Sequence, residues 1–224
     1  MPFSTLALGI YGLFGYHFFL FMALRNAPPV EANLINYLWP LLIVVLSPLF
    51  LRHFVLNSKH LIAVSLGLVG AFLLVTGGKY TLSSEGLLGY SFAALAAFMW
   101  ASYSLLLKKV KPFPTGAVGL FCLVSGLLSI VCHHFLERSY SISSSDIRFL
   151  VLLGIGPMGV AFFLWDKALK LGDPRIIGSL SYLTPLLSTM LLIAFGGGQF
   201  TWIILVAVLL IISGAAFGSV ANRR

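Results

Sequence analysis

The sequence is poor in charge. It carries 6 acidic and 14 basic side chains, and charged residues make up only 9% of its 224 residues. A soluble domain holds about 25%. With 59% hydrophobic residues and a mean hydropathy of +1.03, no soluble fold could bury this much apolar side chain, so lipid must be the solvent for most of it. The net charge of +8 does not point to nucleic acid. The basic residues sit in short connections between apolar runs, which is the pattern of membrane topology and not of a phosphate-binding face. Cysteine is scarce too. Cys122 and Cys132 share one apolar run and read as inert core thiols, not a disulfide. There is no His-Glu-x-x-His, no Gly-x-Ser-x-Gly and no pair of intramembrane aspartates, which argues against an intramembrane enzyme. No nucleotide-binding loop is present, so ATP is not expected to drive the protein, and no cofactor or metal is expected. No loop resembles a selectivity filter, which argues against a channel. A cleavable leader pattern is also missing, and the first apolar run is expected to serve as its own insertion signal.

What the chain does have is apolar runs of about 20 residues, the length that crosses a bilayer. Eight transmembrane helices are expected, over residues 2–24, 30–51, 61–77, 86–107, 116–135, 147–169, 175–195 and 202–221. The connections are short, and the longest, the serine-rich 137–146, is expected to be exposed and mobile. Basic residues set the orientation. With a cytoplasmic N-terminus, Arg52, Lys59, Lys108, Lys109, Lys111, Lys167, Lys170, Arg175, Arg223 and Arg224 fall inside. Only Arg25, Lys79, Arg138 and Arg148 fall outside, together with Glu85, Glu137 and Asp146. Both termini are therefore expected in the cytoplasm, and the protein in the cell (inner) membrane.

Two stretches break the apolar pattern: Asn36-Tyr37-Leu38-Trp39-Pro40 and Ser181-Tyr182-Leu183-Thr184-Pro185. Each proline removes a backbone donor and clashes with the preceding turn. In a bilayer the freed carbonyl needs a partner inside the protein or in a water-lined cavity. The stretches belong to an internal repeat. Displacing the chain by 145 residues sets Ala23-Leu24 on Ala168-Leu169, Pro29 on Pro174 and Tyr37-Leu38-x-Pro40 on Tyr182-Leu183-x-Pro185, with 8 identities over the 20 positions from 23 to 42. Gly70-Ala71 answers Gly214-Ala215 after one residue of slippage. Spans one to three thus recur as six to eight. Span six lies five crossings after span one, so the copies run in opposite directions, an inverted repeat of the kind that builds secondary transporters. Two spans precede the second copy and none the first. The expected organisation is a partial first repeat over 1–80 and a complete second repeat over 84–224, an all-α membrane protein that is the remnant of a 5+5 ten-helix bundle. Truncation is the preferred reading, with a complete eight-helix form as the alternative.

These features resemble the drug/metabolite transporter superfamily in its EamA branch. Asn36-Tyr37-Leu38-Trp39-Pro40, Phe98-Met99-Trp100-Ala101-Ser102-Tyr103 and Gly178-x-x-Ser181-Tyr182-Leu183-Thr184-Pro185 look most like the bacterial aromatic amino-acid exporters of that branch. Trp165-Asp166 is similar to a Trp-Asn pair there. The resemblance implies export of aromatic or neutral amino acids by alternating access, with the family's first two helices absent here. The alternative is an inactive remnant, or an assembly partner that does not itself transport.

Substrate-binding candidates are Asn36, Tyr37, Trp39, Pro40, Trp100, Tyr103, Ser181, Tyr182, Thr184 and Pro185. Asn36 and Ser181 offer hydrogen bonds beside an interrupted backbone. Aromatic faces in mid-span could stack on a flat substrate, whereas Trp202, at a span end, reads as part of the interfacial belt. His17, Glu31 and Asp166 are candidates for coupling or gating, although Glu31 also suits a helix's first turn and Asp166 could pair with Lys170. Small residues at four-residue spacing, Ala63-Gly67-Ala71 and Gly214-Gly218, suit close helix packing. A homodimer seam through 61–77 and 202–221 is a further possibility.

Overall fold

The structure is a computed structural model and describes residues 2–52, 54–79, 86–137, 143–196 and 199–220. Tyr80, Glu85, Arg138, Arg223 and Arg224, and residues 138–142 of the serine-rich 137–146, lie outside these residues. Every element among the described residues is helical. Among the described residues, seven helices are long and apolar enough to span a membrane: α1 (Phe3–Asn26), α2 (Pro29–Phe50), α3 (Ser58–Thr76), α4 (Leu87–Leu106), α5 (Ala117–Leu136), α6 (Ser144–Leu171) and α7 (Pro174–Phe195). An eighth, α8, covers Trp202–Val220.

Boundaries shift outward where polar residues cap. α3 begins three residues before the expected 61 because Asn57 and His60 form a reciprocal capping box. α6 begins at Ser144 because Ser143 and Asp146 do the same. Such caps satisfy donors that a helix start leaves without partners, and hydropathy does not register them. Asp173 caps α7 by accepting from the Arg175 amide, with Pro174 as the first helical residue.

Four helical irregularities are spaced like the sequence repeat. α1 contains a π-helical turn at Tyr11–Gly15 and α6 one at Gly156–Val160; Tyr11 and Gly156 are 145 residues apart. α2 consists of Pro29–Asn36 and Trp39–Phe50, broken between. α7 consists of Pro174–Leu180 and Leu183–Gly196, broken at Ser181-Tyr182; Pro29 and Pro174 are again 145 residues apart. Proline accounts for both breaks.

α4 is the most buried span, packed between α1 and α2. Ala23, Ala32 and Ala93 meet there with no exposed surface. The most extensive helix pairing joins α3 to α8. A Cβ on Gly214 would lie 2.6 Å from the Ala63 carbonyl oxygen, and one on Gly70 would lie 2.9 Å from that of Ala207. The small faces of 61–77 and 202–221 therefore meet within one chain. They are not free to form the expected homodimer seam, because backbone already fills the space a second copy would need.

Three basic side chains gather the connections at one end. Lys108 Nζ donates to the Gly172 carbonyl at 2.8 Å. Lys170 Nζ donates to that of Phe113 at 2.9 Å, and Arg175 Nη1 to that of Val55 at 2.7 Å. Burial holds the Lys108 ammonium below its usual pKa, with the Asp173 carboxylate pulling the other way. At the far end Arg25 of α1 pairs with Glu137, just beyond α5, at 3.3 Å.

Candidate functional site

The two helix breaks touch. Tyr182 Oη donates to the Tyr37 carbonyl at 3.0 Å across exactly one repeat interval. A Cβ on Gly178 would stand 3.1 Å from the Pro40 carbonyl oxygen. Beside this crossing lies a cavity of about 410 Å³, walled by Trp39 of α2, Trp100 of α4, Trp165, Phe162, Met158 and Pro157 of α6, Ser181 and Thr184 of α7, and Tyr16, His17 and Phe21 of α1. Its volume is that of a small-molecule site.

Three of the chain's four tryptophans form its wall. Trp39 and Trp165 stand edge to face at 5.4 Å, Trp39 and Trp100 at 6.3 Å, and Trp100 and Trp165 are tilted at 5.8 Å. Tyr16 adds a ring 5.0 Å from Trp100. Trp165 Nε1 donates to Ser104 Oγ at 3.1 Å, which fixes the ring. His17 Nδ1 lies 2.6 Å from the Leu13 carbonyl. A carbonyl only accepts, so Nδ1 carries the proton and a neutral ring keeps Nε2 as an acceptor.

The structure sorts the candidates. Trp39, Trp100, Ser181, Thr184 and His17 reach the cavity wall. Asn36 stands one layer behind, 5% exposed; its Nδ2 donates to Tyr16 Oη at 3.1 Å, and its Oδ1 has no protein partner. Tyr103 and Tyr182 are not among the lining residues, because each ring fills a glycine socket: Tyr103 against Gly12, Tyr182 against Gly67. Pro40 and Pro185 are buried and shape the breaks without facing the cavity, and Tyr37 contributes its carbonyl to the crossing. Glu31 accepts a hydrogen bond from Tyr90 Oη between α2 and α4, away from the wall. Asp166 is 1% exposed and pairs with Lys170 at 2.6 Å. Trp202 is exposed at the start of α8, as an interfacial residue would be.

Tyr16 and Phe162 are wall residues that the sequence reading passed over, and Trp165, singled out only for its likeness to a Trp-Asn pair, is a third. The repeat held a usable signal. Thr184 stands 145 residues after Trp39, and Phe162 stands 145 after His17; all four line the cavity. Tyr182→Phe should keep the ring in its socket and leave the Tyr37 carbonyl without its donor. The expected loss is about 1 kcal/mol, read as a lower unfolding midpoint in detergent.

A bundle of bilayer-length helices around an aromatic cavity of this size is the architecture of a multi-pass membrane transporter. The chain belongs to the EamA-like transporter family, whose profile matches residues 2–76 and 87–220. It is 42% identical to the aromatic amino acid exporter YddG of Ancylobacter novellus, over all of this chain and 78% of that protein. It is 25% identical to YddG of Escherichia coli K12 over 87% of this chain and 68% of that one. A solved crystal structure at 42% identity superposes with a TM-score of 0.94, covering all of this chain and 77% of its own. The protein is thus a transporter and not an enzyme.

Proposed function

We propose that the protein is a secondary transporter that exports aromatic and other neutral amino acids across the cell inner membrane, with both termini cytoplasmic. The observation that carries this reading is the tryptophan-walled cavity beside two touching helix breaks. Flat rings stack on such a wall, and interrupted helices at mid-membrane are where transporters hold their solutes. The relatives' names specify aromatic amino acids. The recurrence of π turns and breaks at 145 residues supports an inverted repeat whose halves rock about this cavity. Residues 1–80 would then supply the first repeat and 84–224 the second. Asn36 serves by holding Tyr16 at the wall, and His17 offers Nε2 to an ammonium group.

The test is efflux of labelled phenylalanine from loaded proteoliposomes. Saturable efflux, inhibited by unlabelled tryptophan, is the expected result. Absence of flux from correctly folded protein would reject the reading. A second reading, activity only in assembly with further membrane helices, is favoured by the bare flank of α6, where Phe149, Leu152 and Ile155 are all more than 60% exposed. Flux restored by co-reconstitution with other membrane chains would distinguish it.

A further inference from the structure

A second cavity, of about 220 Å³, lies between α1 and α5. Phe14, Phe18, Phe21 and Met22 form its apolar side, and Arg25, His133 and Glu137 stand around it. The two oxygens of Glu137 are held separately: Oε1 by Arg25 at 3.3 Å and Oε2 by His133 Nδ1 at 2.5 Å. All three side chains are about half exposed, so solvent and solutes reach them. A pair of this kind, with one long contact in water, is readily exchanged for another partner.

This cavity and the central one share wall residues. A third, of about 290 Å³, lies between them among α1, α5 and α6. His17 and Phe21 form part of the wall of all three. The intermediate cavity also presents Ser125, whose buried hydroxyl has no protein partner. The three spaces make a string along one face of α1, aromatic throughout and ending in a cation beside a carboxylate.

We propose that the α1–α5 cavity is a second binding site for one small zwitterionic amphipath, which places its carboxylate on Arg25, its ammonium on Glu137 and its apolar side chain among Phe14, Phe18 and Phe21. The exchange leaves no charge alone. The ligand's carboxylate replaces Glu137 on Arg25, and its ammonium replaces Arg25 on Glu137, while His133 stays paired. An amine without a carboxylate leaves Arg25 without a partner, and an acid without an amine leaves Glu137 with His133 alone. The site is therefore selective for zwitterions and takes a single amino acid. In the orientation set by the basic residues it lies at the non-cytoplasmic end, the last station before release. The identity of the ligand rests on the transport reading above.

Equilibrium binding of labelled phenylalanine to the purified chain in lipid nanodiscs separates the two sites by stoichiometry. Wild type is expected to hold two per chain. Arg25→Gln should lower the affinity of one of the two about tenfold, the loss of one charge-assisted contact, and Arg25→Lys should recover most of it. Phe18→Ala, which lines this cavity and neither of the others, should lower the same affinity from the apolar side. Phenethylamine and 3-phenylpropionate should compete at this site far less well than phenylalanine. Trp39→Ala removes the central ligand instead, so a failure of the transport reading lowers the wild-type count by one yet leaves the Arg25-dependent ligand in place. Identical binding curves for wild type, Arg25→Gln and Phe18→Ala, with all three monodisperse, overturn the proposal. So does full competition by phenethylamine.

Discussion

Lys170→Met is expected to leave little folded protein. Lys170 Nζ donates to Asp166 Oδ2 at 2.6 Å, to the Phe113 carbonyl at 2.9 Å and to Thr115 Oγ1 at 3.3 Å, and it stands 3.7 Å above the Phe113 ring. Asp166 is almost wholly buried, and its Oδ1 already lacks a protein partner. Removing the ammonium strands a carboxylate inside the bundle. Breaking a buried pair in this way costs about 3–5 kcal/mol, a large part of the stability of most folded chains. The measurement is the fraction of protein eluting monodisperse in detergent and its unfolding midpoint. Asp166→Asn added to Lys170→Met should recover much of the loss, because the double variant buries no charge. If the double variant is as unstable as the single one, the instability comes from the Phe113 and Thr115 contacts, not from the stranded carboxylate.

Trp39→Ala is expected to lower efflux of labelled phenylalanine at least tenfold, with the protein present at normal amounts. The ring makes two edge-to-face contacts, with Trp100 and Trp165, and such pairs are worth about 0.5–1.5 kcal/mol each beyond their area. Losing both frees the facing rings to turn into the cavity, and the substrate loses its own stacking surface as well. About 1.4 kcal/mol corresponds to a factor of ten in affinity, so the combined effect exceeds one decade. Trp39 is only half buried, so the fold should survive. Trp39→Phe should restore part of the flux, and Trp202→Ala, far out on α8, should leave it unchanged. Equal flux in wild type and Trp39→Ala would remove this cavity from the transport path.

Much of the bundle was legible because membrane spans declare themselves by length and hydropathy. The two breaks were legible because proline cannot continue a helix without a gap. The wall of the cavity was only half legible. Trp39, Ser181 and Thr184 sit at the breaks, and Trp100 stood out as a mid-span tryptophan. Tyr16 lies on a helix without an internal proline, and Phe162 and Trp165 follow a Gly156-Pro157 pair that the apolar pattern runs straight through. A π turn precedes them on each helix, and the glycines and proline inside those turns, Gly12, Gly15, Gly156, Pro157 and Gly159, do not by themselves tell a π turn from an ordinary kink. Tyr103 and Tyr182 show the opposite failure. A mid-span tyrosine reads the same whether it faces a cavity or a glycine, and only the opposing helix decides. Gly12 and Gly67 make that decision, and their partners are far away in sequence. Asp166 was legible as half of an i, i+4 pair with Lys170, but its depth was not.

The π turns carry a consequence for how this chain tolerates change. Each fits one more residue than an ordinary turn, and each residue advances an α-helix by about 100°. Straightening 11–15 or 156–160 into regular α-helix by substitution, at constant length, would preserve the hydropathy and swing the rings at 16–17 or 162 by about 100° towards the lipid. The composition of such a variant would still be that of a membrane-spanning chain, but the face it shows to a passing solute would be blank.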